Sequence, residues 1–136
     1  MSELFGLVLS GGSVRAAAHV GVLKAVEEYK LEPQVVVGTS GGSIVAALYA
    51  AGLTAAELED LFVEHSRAKG EIVDLNWPGA VLALLTWDIK RLSGAVRGRS
   101  IEQIIARSLP VQRFQDLQKC HLLIPAVNLN NGQQTV

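Results

Sequence analysis

Two short apolar runs, each ending in a glycine-rich turn and each followed by a helix of small residues, constrain this chain more than any other feature. Leu4-Phe5-Gly6-Leu7-Val8-Leu9 runs into Ser10-Gly11-Gly12, and Val35-Val36-Val37 runs into Gly38. A continuous apolar run bounded by turn residues is the pattern of a strand buried on both faces of a parallel sheet. Behind the first turn, Ala17, Ala18, Val20, Val22, Leu23, Ala25 and Val26 give a broad apolar face to a helix over Arg15 to Tyr29. Pro33 stops it, and a second small-residue helix runs from Gly41 to Ala51. Strand, helix, strand, helix predicts a right-handed parallel α/β unit.

Gly52 closes the second helix. Thr54-Ala55-Ala56-Glu57 is a capping box opening a third, with Leu58, Leu61, Phe62 and His65 on one side. Between Gly70 and Gly98 we read a short helix and a loop, with an apolar patch from Val81 to Trp87 and a basic cluster of Lys90, Arg91, Arg97 and Arg99. Ser100-Ile101-Glu102-Gln103 is a second capping box, and Ile101, Ile104, Ile105 and Leu109 form the face of a helix ended by Pro110. His121 to Val127 reads as a strand. Asn130-Asn131-Gly132 is a hairpin turn followed only by Gln133 to Val136.

A length of 136 residues bounds the chain to one domain. An apolar content of 49% against 18% charged is rich for so small a body, and makes the chain read as a piece of something larger. Twelve basic residues against thirteen acidic ones leave a net charge of −1, which gives no field to hold a nucleic acid. The one cysteine, Cys120, cannot close an intramolecular disulfide, and no Cys/His cluster has metal-ligand spacing. The N-terminus lacks a basic segment followed by an apolar one, and the apolar stretches fall short of the ~20 residues that span a bilayer. The expectation is a cytoplasmic chain without metal or cofactor.

Gly38-Thr39-Ser40-Gly41-Gly42 matches G-x-S-x-G between a strand and a helix, the context of a nucleophile elbow. Glycines around Ser40 permit a tight turn that exposes its hydroxyl over a helix N-terminus, where backbone N–H groups favour developing negative charge. An ordinary glycine-rich turn would carry the same five residues. The first turn is no P-loop, because no Gly-Lys-Ser/Thr follows, and it lacks the G-x-G-x-x-G spacing of dinucleotide binders. It can aim the backbone N–H groups of Gly11, Gly12 and Ser13, backed by Arg15, at one spot, as an oxyanion hole requires. A cation at a helix start is otherwise unfavourable.

Leu9 to Leu23, through Ser10-Gly11-Gly12-Ser13-Val14-Arg15 and His19, followed by Val37-Gly38-Thr39-Ser40-Gly41-Gly42-Ser43, resembles the patatin-like phospholipases, especially the bacterial ones. The resemblance extends through Gly52-Leu53-Thr54, Leu92-Ser93-Gly94 to Arg99, and Ala126 to Gly132. It implies a three-layer α/β/α fold with a mainly parallel sheet, and hydrolysis of lipid acyl esters by a Ser-Asp dyad. By motif position Ser40 is the nucleophile, Gly11 and Gly12 are oxyanion donors, and Arg15 supports their turn.

Three departures stand out. Ser13 replaces a usual third glycine and Ala16 another, so each needs a φ that a Cβ tolerates. The family's base lies in an Asp-Gly pair, and this chain has none: Asp60, Asp74, Asp88 and Asp116 each precede another residue. The chain therefore reads as the N-terminal part of one such domain, incomplete at its C-terminal end. Its base lies outside the chain, and the chain alone is expected to be poorly active and to pair with a second copy or a complementing chain. In the family it resembles, the position of His19 is a helix residue behind the oxyanion turn, which implies a structural role, and His65 and His121 show no metal spacing. Trp77, Trp87, Leu82, Leu84 and Leu85 read as a lid or core patch that, if exposed, would meet a membrane surface or a subunit, and the basic cluster reads as a solvated loop near anionic head groups. The alternatives are a non-catalytic scaffold fragment associating through its sheet edge, and an acyl-carrier transacylase, which normally places His where Thr39 stands.

Overall fold

The computed structural model describes residues 4–67, 99–111 and 113–136. Three parallel strands form one sheet in the order β1 (Gly6–Leu9), β2 (Val35–Gly38) and β3 (His121–Leu123). A 3-10 turn over Ser13–Ala17 leads into α1 (Ala18–Glu28), and α2 (Gly41–Ala50), α3 (Ala55–Arg67) and α4 (Arg99–Ser108) follow β2. The predicted α/β unit is present, and the family assignment below carries the same fold.

Helix α2 is the centre of the core. Six of its ten residues are buried, Val45 and Ala46 completely, and it packs on all three strands. Leu9, Val36, Leu23 of α1 and Leu58 of α3 complete the cluster, with Leu7 and Leu122 against it. A helix with no charged residue and apolar side chains around most of its circumference is stable when enclosed in this way. The strands advance β1, β2, β3 in one direction, and right-handed crossovers between parallel strands that advance one way place their helices on one face. Among the described residues the other face is bare, with Val8 71% and Leu123 41% exposed. The expected burial of β1 on both faces thus holds on one face here.

Two predicted boundaries move. The first helix divides into the 3-10 turn and α1, because the tighter winding carries the chain out of the glycine turn before the α-helix begins. The predicted strand from His121 to Val127 breaks at Ile124-Pro125, where proline offers no N–H to a ladder. Beyond the break, β4 (Ala126–Val127) pairs antiparallel with β5 (Gln134–Thr135) through the expected Asn130-Asn131-Gly132 turn, with Gly132 at φ 69°.

The Thr54 capping box forms in both directions: Thr54 N–H donates to Glu57 Oε2 at 2.8 Å, and Glu57 N–H to Thr54 Oγ1 at 3.2 Å. Ser100 instead lies inside α4, which begins at Arg99. Lys119 ties the far end of α2 to its neighbours. Its ammonium sits 3.6 Å from the Tyr49 ring centre, donates to the Leu53 carbonyl at 3.1 Å and pairs with Glu27 at 3.5 Å. Burial pushes both the Tyr49 phenol and the Cys120 thiol up, so Cys120 is no thiolate nucleophile at neutral pH.

Candidate active site

Parallel register brings the two glycine turns together. Leu9 pairs with Gly38, the last residues of β1 and β2, so the segments that follow leave the sheet side by side at its C-terminal edge. Thr39 N–H donates to Leu9 C=O at 3.0 Å and extends that pairing by one residue.

Ser40 then turns sharply, at φ 52° and ψ −125°. Lys30 is the only other non-glycine with positive φ among the described residues. Such a conformation costs of order 1–3 kcal/mol and persists only when its surroundings enforce it. Here they do. A Cβ on Gly42 would collide with the Leu9 carbonyl oxygen and lie 2.5 Å from that of Ser10, and one on Gly38 would lie 2.5 Å from Ser43 Cα and 2.7 Å from Ala46 Cβ. Ser43 Oγ donates to the Ser40 carbonyl at 2.5 Å, and Ser43 N–H to the same oxygen at 2.9 Å. The Ser40-x-x-Ser43 spacing is the sequence signal for this lock.

The first turn meets the elbow at Gly11, where a Cβ would sit 3.1 Å from Ser40 Cβ and 3.5 Å from Thr39 O. Glycine keeps that approach open. Ser13 and Ala16 raise no conflict, since both wind into the 3-10 turn without positive φ, and Ala16 is buried. Arg15 is exposed and ion-paired to none of the described residues. Ser10, Gly11, Gly12, Thr39 and Ser40 are all exposed.

No described side chain hydrogen-bonds the Ser40 hydroxyl. The ring of His19 lies 2.8 Å from the Ser10 carbonyl oxygen through Nε2. A carbonyl only accepts, so Nε2 carries the proton and cannot take one from Ser40. His121 opens β3 at the opposite edge of the sheet, level with Val35. Asp60 on α3 and Asp116 in the 3-10 turn Phe114–Asp116 are exposed. Asp74, Asp88, Trp77, Trp87, Leu82, Leu84, Leu85, Lys90, Arg91 and Arg97 lie outside the described residues, as do the side chains of His65 and Arg99. Among the described residues no acidic, His or Cys cluster is placed to hold a metal, and no helix is long and apolar enough to cross a membrane.

The family profile described as patatin-like phospholipase matches residues 7–130. The Bacillus subtilis protein YqhO is 35% identical over 133 residues, covering 95% of this chain and 45% of that protein. Human patatin-like phospholipase domain-containing protein 6 is 33% identical over 127 residues, covering 90% of this chain and 8% of that protein. The Aspergillus fumigatus lysophospholipase nte1 is 56% identical over 45 residues, covering 33% of this chain and 3% of that protein. The chain thus spans less than half the length of these relatives.

Proposed function

The chain belongs to the patatin-like phospholipase family, and from that premise we propose that it supplies the nucleophile half of a serine hydrolase acting on lipid acyl esters, with Ser40 as nucleophile. The observation that carries the reading is the strained Ser40 turn with Gly11 so close beside it that a Cβ there would lie 3.1 Å from Ser40 Cβ. A hydroxyl presented there reaches an ester carbonyl from the mouth of α2, while the neighbouring turn offers N–H donors to the oxygen that becomes charged.

In this mechanism Ser40 Oγ attacks the ester carbon and its proton passes to a carboxylate. Gly11 and Gly12 N–H groups, with Ser13 and Arg15 behind them, hold the tetrahedral oxyanion, and Gly41 N–H at the first position of α2 adds a donor. Collapse breaks the ester C–O bond as the carboxyl group returns that proton to the departing alcohol, leaving an acyl-Ser40 ester. Water then gives its proton to the same carboxylate and attacks the acyl carbon, and the free acid is released as Ser40 Oγ regains the proton. The base is an aspartate from outside these 136 residues, consistent with the lack of any Asp-Gly pair and with the commitment of His19 Nε2 to Ser10. These residues thus belong to the N-terminal part of one domain. The lysophospholipase name borne by relatives makes a lysophospholipid the first substrate to try.

The test is turnover of a lysophospholipid by the intact protein and by Ser40→Ala. Loss of the nucleophile lowers kcat at least about 10³-fold with folding unchanged. Turnover in Ser40→Ala equal to that of the unmodified protein would overturn the assignment. The sheet face that no described residue covers supports a second reading, a non-catalytic piece that associates through its sheet edge, and the same assay separates the two.

A further inference from the structure

We infer that His19 is a positioning residue for the oxyanion turn, holding the Ser10–Gly11 peptide in the one orientation that keeps its N–H available as a donor. The inference rests on the reading of Ser40 as nucleophile. A peptide unit is planar, with C=O and N–H pointing opposite ways, so a bond that fixes the Ser10 carbonyl also fixes the Gly11 N–H. In this turn that matters more than elsewhere, because Gly11 and Gly12 follow in succession and glycine tolerates the dihedral change of a peptide flip. A flipped peptide would present a carbonyl where the reaction needs a donor.

The structure supplies the clamp from α1. His19 Nε2 donates to Ser10 O at 2.8 Å across nine positions in sequence, so it joins two elements and closes no local turn. The same carbonyl oxygen lies 2.5 Å from where a Gly42 side chain would begin, so the α2 start packs against this peptide as well. His19 touches the turn, whereas no bond links it to Ser40. It acts through Gly11 and is no catalytic base.

In the intact protein, His19→Phe keeps a ring and loses the donor, whereas His19→Gln retains an amide N–H with the reach of Nε2. Loss of one such bond frees the flipped state and is expected to lower kcat on a lysophospholipid about tenfold, with KM changed less than about twofold, while His19→Gln recovers most of the rate. Equal losses in both variants, a loss confined to KM, or undiminished kcat in His19→Phe would overturn the clamp. Imidazole nitrogen NMR of the unmodified protein tests it even if His19→Phe fails to fold: the neutral ring must carry its proton on Nε2, and an Nδ1–H tautomer would overturn the clamp. If the unmodified protein shows no Ser40-dependent turnover, the reading of Ser40 fails, and this inference with it. A Ser40-dependent enzyme whose rate ignores His19 defeats the clamp alone.

Discussion

At the scale of single residues, the elbow is a problem of space as much as of chemistry. Gly42 lies where β1 ends and α2 begins, and a methyl group there meets the Leu9 and Ser10 carbonyls, which are backbone and cannot step aside. Gly42→Ala should therefore destabilise the protein by about 3 kcal/mol or more in urea unfolding. Gly21, inside α1 with nothing within 4 Å of its absent Cβ, should behave oppositely. Gly21→Ala should stabilise by about 0.5–1 kcal/mol. Equal effects at the two positions would mean that the packing of β1 against α2 is wrong. Ser40 and its flanking glycines were legible because the turn needs those residue types in that order. Resemblance placed His19 behind the oxyanion turn but did not give its bond to Ser10, because the partner is a main-chain carbonyl, which every residue carries and no side chain announces.

At the scale of elements, sequence located the strands and helices that capping and hydrophobic period mark strongly, and mislaid those that turn on one backbone group. Thr54-x-x-Glu57 announced the start of α3, whereas the same pattern at Ser100 falls within α4. The run from His121 to Val127 reads as one strand on its apolar pattern, and Pro125 divides it because proline has no N–H for the ladder. The box at Thr54 has a pH signature. Its backbone N–H, then its hydroxyl, hold the Glu57 carboxylate below its ordinary 4.5. A lowered carboxylate stabilises the fold fully above 4.5 and loses that contribution as pH falls through the lower, folded value. Thr54→Ala should cost about 1 kcal/mol at pH 7, and the gap to the unmodified protein should narrow through a urea series taken below pH 4.5. A gap that stays constant with pH would show that the reciprocal bond to Glu57 is absent in solution.

At the scale of the molecule, strand order decides what is covered. The strand patterns predicted a parallel sheet, but no local pattern reveals that β1, β2 and β3 advance in one direction and so gather these helices on one face. The three-layer form implied by resemblance calls for a second helical layer, and among the described residues none covers the face where Val8 and Leu123 are exposed. An apolar sheet face of this kind seldom stays in water. The 136 residues expressed alone should run as an oligomer in size-exclusion chromatography with light scattering, and a monodisperse monomer would show that the face is covered in another way. The central claim is that two glycine turns, aligned by the pairing of Leu9 with Gly38, make Ser40 the attacking atom. Its most direct test is reaction of the intact protein with a fluorophosphonate ester, followed by peptide mapping in a mass spectrometer. The account predicts one phosphonyl adduct, on the peptide that contains Ser40, and none in Ser40→Ala. An adduct on a different residue, or labelling undiminished in Ser40→Ala, would contradict it.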